Sequence, residues 1–180
     1  MKIKNLQVIE EFIEKDDQTF LMSALKQLEL DNKFNNWNDG RLLLVNPEIP
    51  EIYTFIKKYS QRILDLYKDS FNYKLYLQEF FLAIFPEGAS MKAHIDSDGT
   101  DRSFVISAVL YLNDDFTGGE IVFPNLDFEY KPKAQSLVVF QGYGIEYLHE
   151  VKTLTSGKRY TIPLVFTKDK QYEVNLNQGE

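Results

Sequence analysis

The chain reads as a mainly β protein carried on N-terminal helices, an α+β arrangement whose β part is a sandwich or jelly roll. Three observations predict this. The first 70 residues carry apolar side chains at helical spacing, and the next hundred break into many short runs rich in Val, Ile, Phe and Tyr. Turn-forming clusters separate those runs: Asn113-Asp114-Asp115, Thr117-Gly118-Gly119, Pro124-Asn125 and Ser156-Gly157. Helices first and strands later describe two packed layers rather than alternating β-α-β units.

Taken in order, Leu6–Ile13 fits a short helix. Asp16 and Asp17 are placed to cap a second helix, whose stripe is Phe20, Leu21, Ala24, Leu25 and Leu28. Residues 32–41 are polar and read as a loop, and Leu42–Val45 reads as a short strand. Pro47 and Pro50 lead into a third helix, in which Ile52, Phe55, Ile56, Tyr59, Ile63 and Leu66 recur at steps of three and four. Strands are expected at Leu75–Phe85, Phe104–Leu112, Glu120–Phe123, Leu126–Tyr130, Ser136–Phe140, Glu146–Val151 and Arg159–Thr167. One domain is expected over 1–180, with supporting helices over 1–70, a β core over 71–168 and a polar, loosely held tail over 169–180.

Composition narrows the function classes. With 44% hydrophobic and 14% aromatic residues, the chain can bury a core and is not a disordered segment. A net charge of −7, with no long basic stripe, argues against a nucleic-acid partner. There is no cysteine, which excludes disulfides and thiolate metal sites. The N-terminus shows no signal peptide and no run approaches a membrane span, so the expected location is the cytoplasm. Oligomeric state is not legible.

Only two histidines occur, and both stand in informative places. His94 opens His94-Ile95-Asp96, and in an extended segment residues two apart share a face. His149 follows 55 residues later, within a second, apolar strand. Two imidazoles and a carboxylate occupy one face of an octahedral ion and leave three positions open, the arrangement of non-haem Fe(II) oxygenases. A 2-oxo acid can fill two of those positions and dioxygen the third. Its far carboxylate then needs a cation, and Arg159, ten residues after His149, offers a planar and permanently charged fork. Thr161 would face the same side and add a hydrogen bond. Lys158 adjoins Arg159, but strand alternation turns only one of the two inward, and the ten-residue offset favours Arg159.

Each feature alone has an ordinary explanation: a chance triplet, a core histidine, a surface arginine. Their order and spacing on one β-rich scaffold outweigh those explanations. The acidic run Asp96-Ser97-Asp98-Gly99-Thr100-Asp101 looks calcium-like, but its glycine is fourth rather than sixth and Ser107 stands where a bidentate Glu is needed. It reads better as a polar loop that could act as a lid.

The set Phe85-Pro86-Glu87-Gly88, His94-Ile95-Asp96, Arg102, Leu110-Tyr111-Leu112-Asn113, Gly118-Gly119-Glu120, Phe123-Pro124, His149-Glu150-Val151 and Gly157-Lys158-Arg159-Tyr160 resembles the 2-oxoglutarate and Fe(II)-dependent oxygenases of the prolyl 4-hydroxylase type. The resemblance implies a double-stranded β-helix (jelly roll), iron on His94, Asp96 and His149, and the 2-oxoglutarate C5 carboxylate on Arg159. It implies decarboxylation of 2-oxoglutarate to succinate and carbon dioxide, coupled to hydroxylation of a C–H bond, with ascorbate as an accessory. The expected substrate is a polypeptide residue, proline first; a free amino acid or other small molecule, or a binding module without catalysis, are the alternatives. Trp37, Arg41, Asp98 and Arg102 are candidate substrate or lid residues. Two positions depart from the family: Phe85 stands where many relatives carry Tyr, and Met91 where an aromatic is frequent. A hydroxyl on Thr161, Tyr76 or Tyr111 is expected to compensate for Phe85.

Overall fold

The computed structural model describes residues 6–37, 39–45, 47, 49–97 and 104–176. Asp98 and Arg102, and with them the expected lid, lie outside the described residues.

The chain begins with a strand, β1 (Leu6–Ile9), where a helix was expected. Leu6, Val8, Ile9, Phe12 and Ile13 satisfy either period in so short a run, and the open edge offered by Leu137–Phe140 decides for pairing. Helix α1 (Lys15–Leu30) is preceded by Glu14 in extended conformation, with no side-chain cap. Asp16 and Asp17 lie inside the first turn, where negative charge favours the helix N-terminus, and do not cap it. Leu21, Leu25 and Leu28 are buried, while Phe20 is partly exposed and stacks on Phe55. A two-residue strand, β2 (Asn35–Asn36), interrupts the expected loop and pairs with β3 (Leu42–Val45). Helix α2 (Pro50–Tyr67) opens on Pro50, which loses no helix bond at that position. It buries Ile52, Ile56, Tyr59 and Ile63, and leaves Leu66 exposed.

Then follow β4 (Tyr76–Pro86), β5 (Met91–His94), β6 (Phe104–Tyr111), β7 (Thr117–Gly118), β8 (Ile121–Phe123), β9 (Phe128–Tyr130) and β10 (Leu137–Gln141). The last strands are β11 (His149–Val151), β12 (Leu154–Ser156) and β13 (Lys158–Thr167). The short strands β5, β7 and β12 carry no apolar alternation and were not expected. The large sheet has the order β1-β10-β6-β13-β4-β3-β2, and a smaller one the order β5-β11-β8-β9; every pairing is antiparallel. These are the facing sheets of a jelly roll, as expected. Among the described residues no helix is long and apolar enough to cross a membrane.

The large sheet is buried on both faces, so its central strands read as continuous apolar runs. On β4, Phe80, Leu82 and Ile84 pack with α1 and α2 in the main core. The intervening Glu79, Phe81, Ala83 and Phe85 face the other way, into a cavity between the sheets. The described part of the tail, to Leu176, is held to the fold: Val174 N–H bonds to the Leu77 carbonyl at 2.9 Å, and Val174 and Leu176 pack on the core.

Candidate metal centre and cavity

His94 ends β5 and His149 begins β11, and the two are paired directly across the small sheet. Asp96 lies two residues beyond the strand end, in an irregular turn rather than in the extended segment expected; Ile95 is only half-buried. Asp96 Oδ1 comes within 3.2 Å of His94 Nε2 and 3.6 Å of His149 Nε2. One ligand atom from each of the three residues lies within 4.8 Å of the others, so the set could hold a metal ion.

Each imidazole is oriented from behind. His94 Nδ1 stands 2.9 Å from the Lys92 carbonyl and His149 Nδ1 3.0 Å from the Tyr147 carbonyl. A carbonyl only accepts, so both Nδ1 atoms carry a proton, and in the neutral rings it is the Nε2 lone pairs that face Asp96. The ring of His149 is further clamped by Phe123 at 5.3 Å and Phe140 at 4.6 Å. Protonated His94 donates Nε2–H to the Asp96 carboxylate, which raises the His94 pKa, whereas burial lowers that of His149. Burial also pushes the Asp96 carboxyl up, but the His94 bond and the field of His149 together outweigh it and leave the group below its usual range. A neutral His149 beside an ionised Asp96 is what metal ligation requires.

The cavity beside this cluster measures about 330 Å³. At its inner end Arg159 is 2% exposed, and burial pushes its pKa down to about 10. Its Nη1 donates to the Gly119 carbonyl at 2.6 Å, and its guanidinium carbon lies 3.8 Å from the centre of the Phe85 ring. Among the described residues its Nε has no partner, and neither has the hydroxyl of Thr161, which is also buried. Two unpaired buried donors on one cavity wall could serve a bound anion. The donor set therefore fits a carboxylate.

The local fold explains why Arg159 points inward. Asn113 accepts from Tyr160 N–H at 2.8 Å and donates to the Lys158 carbonyl at 2.7 Å, which fixes the register at the start of β13. Lys158 turns outward and pairs with Glu29 at 2.7 Å. Gly118 and Gly119 have φ of +73° and +69°; a Cβ on Gly118 would lie 2.2 Å from the Thr153 carbonyl oxygen. Only glycine permits this tight turn, and the turn delivers the Gly119 carbonyl to Arg159.

Over residues 80–167 the sequence matches the profile of the 2OG-Fe(II) oxygenase superfamily. Residues 80–167, which carry the three ligands and Arg159, belong to that superfamily. This oxygenase shares its fold with a prolyl 4-hydroxylase from Pseudomonas putida, at TM-score 0.77 and 22% identity, covering 92% of this chain and 93% of that one. The viral collagen prolyl hydroxylase of Paramecium bursaria Chlorella virus-1, solved with 2-oxoglutarate, gives TM-score 0.73 at 20% identity, covering 92% of this chain and 97% of that one. Human prolyl 3-hydroxylase 2 is 44% identical over 71 residues, a segment that is 37% of this chain but only 10% of that protein. The expected family, fold and pair of cofactors, Fe(II) and 2-oxoglutarate, are thus borne out.

In the oxygenase, Trp37 and Arg41 both line the cavity mouth. Arg41 is bound to Asp39, with Nε and Nη2 at 2.8 and 2.7 Å from Oδ2, and lies over the Trp37 ring. Met91 Sδ stands 3.0 Å from Arg41 Nη1. Of the hydroxyls weighed against Phe85, Tyr111 lies directly opposite Thr161 on the cavity wall, whereas Tyr76 sits at the far end of β4 beside Thr167. Burial pushes the Tyr111 pKa up to about 12, so it remains a hydrogen-bond donor. Sequence reading missed Glu79 and Ser107, which also line the cavity. The signal for Glu79 was an acidic residue inside the apolar run Leu75–Phe85.

Proposed function

We propose that this oxygenase hydroxylates a residue of a polypeptide, proline first, with His94, Asp96 and His149 holding Fe(II) and Arg159 binding the far carboxylate of 2-oxoglutarate. The observation that carries the reading is the convergence of the three ligand atoms within 4.8 Å, with the orphaned Arg159 Nε and Thr161 hydroxyl on the wall of the adjoining cavity. Fe(II) with 2-oxoglutarate and dioxygen supplies the oxidising power, and succinate and carbon dioxide are the expected co-products. The chain's own groups hold and orient. Arg159 neutralises the carboxylate in a buried setting, and Thr161 and Tyr111 donate to it, in place of the hydroxyl that Phe85 lacks. Phe85 stacks on the guanidinium and keeps water from it.

A polypeptide is favoured over a small metabolite by the mouth of the cavity. There Trp37 is 52% exposed and Val45 47%, and a shallower groove bordered by Asp39, Ser90 and Lys92 continues outward from Trp37 and Met91. The prolyl 3- and 4-hydroxylases among the relatives support proline as the first residue to try, and leave the position on its ring to be measured.

The deciding experiment is an anaerobic titration of apo-protein with Fe(II) and then 2-oxoglutarate, followed through the weak visible charge-transfer band of the chelate. A band that is absent from His149→Ala supports the site. Oxygen is then admitted with a library of proline-containing peptides, and products are sought at one added oxygen. A band in the wild type with no oxygenated polypeptide would transfer the assignment to a small-molecule substrate. No band at all would favour a binding module.

A further inference from the structure

Among the described residues, every charged side chain lining the cavity has a protein counterpart or a proposed ligand except one. Arg41 is held by Asp39, Asp96 lies between the two histidines, and Arg159 has its role at the 2-oxoglutarate carboxylate. Glu79 is half-buried in the wall, and among the described residues its side chain makes no hydrogen bond or ion pair.

Its place is set by strand register. Glu79 pairs with Val165, and Val165 with Ser107, so the three form one row across β4, β13 and β6. At about 4.8 Å per strand that row is roughly 10 Å long. Ser107 stands beside Asp96: its hydroxyl is near enough to help hold that carboxyl low, although its Oγ is not in good hydrogen-bonding geometry. Glu79 thus lies about 10 Å along the sheet from Ser107, the residue beside Asp96, with Val45, Phe81, Pro163 and Val165 on the same cavity wall. A carboxylate partly removed from water among apolar side chains, with no counter-charge, is costly. A cation that arrives with the substrate removes the cost, and its attraction is stronger there than in bulk water.

We propose that Glu79 is a specificity residue that binds a basic side chain of the substrate polypeptide, one to three residues away from the residue that is hydroxylated. The inference rests on the oxygenase reading above. The spacing follows from about 10 Å of cavity and about 3.3 Å per residue of extended peptide. A Lys or Arg stem would lie along Phe81 and Val45, with its charge at Glu79. The net charge of −7 draws such a segment in before contact.

The test uses fluorescein-labelled proline peptides identical but for Lys or Glu, stepped from one to three residues either side of the proline. Binding is measured to protein loaded with Mn(II) and 2-oxoglutarate, after the Fe(II) chelate band has established loading. The wild type should bind the best Lys peptide at least ~10-fold tighter than its Glu twin. E79Q should bring that ratio close to one, and E79K should invert it, which a merely structural role for Glu79 would not do. A wild type indifferent to the swap, or E79K retaining the Lys preference, would overturn the proposal while the oxygenase reading stands on its band. Lysine amide competing as well as the best peptide would overturn the polypeptide part. Absence of the chelate band would remove the oxygenase reading and this inference with it.

Discussion

His94 and His149 face each other as a directly opposed pair on two antiparallel strands, with ring centroids 4.4 Å apart. Two imidazoles thus sit on a rigid sheet, and only Asp96 arrives from irregular backbone. Each ring is held by a carbonyl two residues earlier in its own chain, so the sheet orients both ligands before any metal binds. Removing either imidazole leaves two ligands where three are needed. His94→Ala and His149→Ala should each lose Fe(II)-dependent turnover, and the 2-oxoglutarate chelate band with it. The measurement is the anaerobic titration, with circular dichroism as the control for folding; a full band in either variant would remove that residue from the ligand set.

Thr161 offers a sharper test, because stability and binding should move in opposite directions. Its hydroxyl is buried without a partner. Thr161→Val removes the orphan at nearly constant shape, and should stabilise the unliganded protein by about 1 kcal/mol. The same change removes a donor from the proposed carboxylate site and should weaken 2-oxoglutarate about 5-fold. Urea unfolding and isothermal titration read the two effects separately. Loss of stability without loss of affinity would make Thr161 a packing residue.

Arg159 and its neighbour Lys158 can be separated in the same way. Truncating one partner of a buried charge pair costs about 2–5 kcal/mol, which is roughly 30- to several-thousand-fold in affinity. Arg159→Ala should weaken 2-oxoglutarate by that amount. Lys158→Ala should only break the exposed pair with Glu29, worth about 0–1 kcal/mol of stability, and leave 2-oxoglutarate affinity unchanged. The reverse pattern would move the anchor to Lys158.

The sequence carried the chemistry of the centre better than its architecture. Histidine is scarce here, so two histidines with an Asp and a following Arg stood out before any fold was known. The long central strands were legible because both faces are buried and the runs are mostly apolar. Strand β5 was not, because Met91-Lys92-Ala93-His94 is half-buried to exposed and presents function rather than a core face. Strand β1 was read as helix because five apolar residues in eight fit both periods, and the free edge of β10 is a tertiary fact. Tyr111 and Tyr76 could not be ranked either, since only register shows which one reaches Thr161. Glu79 went unseen for a related reason: which face of β4 is cavity depends on where the second sheet lies.

The glycine turn beneath Arg159 makes a prediction about strain. Gly118 and Gly88 both have positive φ, +73° and +86°, but a Cβ on Gly88 would meet nothing within 4 Å. Gly88→Ala should therefore cost only the left-handed backbone, about 1–2 kcal/mol. Gly118→Ala adds a collision with the Thr153 carbonyl and must move the turn that carries the Gly119 carbonyl. It should cost more, about 2–4 kcal/mol, and also weaken 2-oxoglutarate by loosening Arg159. Equal costs in urea unfolding, with equal affinities, would detach the turn from the site.

Helix α1 is tied to α2 by a charged cluster far from the cavity, and its pH dependence has a definite sign. Asp17 accepts from the Tyr59 hydroxyl at 2.6 Å and from Lys58 Nζ at 2.8 Å. Burial raises its pKa, but those two bonds and the charges of Lys58 and Arg62 more than reverse it, so the folded value lies below the usual 3.8. When the folded pKa is depressed, the unfolded chain takes up the proton first as pH falls. The contribution of Asp17 is therefore fully present above about pH 4, and disappears as pH falls through the lower folded value. Tyr59 acts at the other end: burial and the bond to Asp17 push its pKa up to about 12 from 10.0. Unfolded chains lose that proton near pH 10 and folded ones only near 12, so stability falls as pH rises across that interval. Asp17→Asn should cost about 1.5–3 kcal/mol at pH 7, the range for hydrogen bonds to a charged group. Urea unfolding of both proteins from pH 7 to 3 should show the difference shrinking toward zero at the acid end. A difference that persists undiminished at pH 3 would mean that packing of the Asp17 side chain, not its charge, joins the two helices.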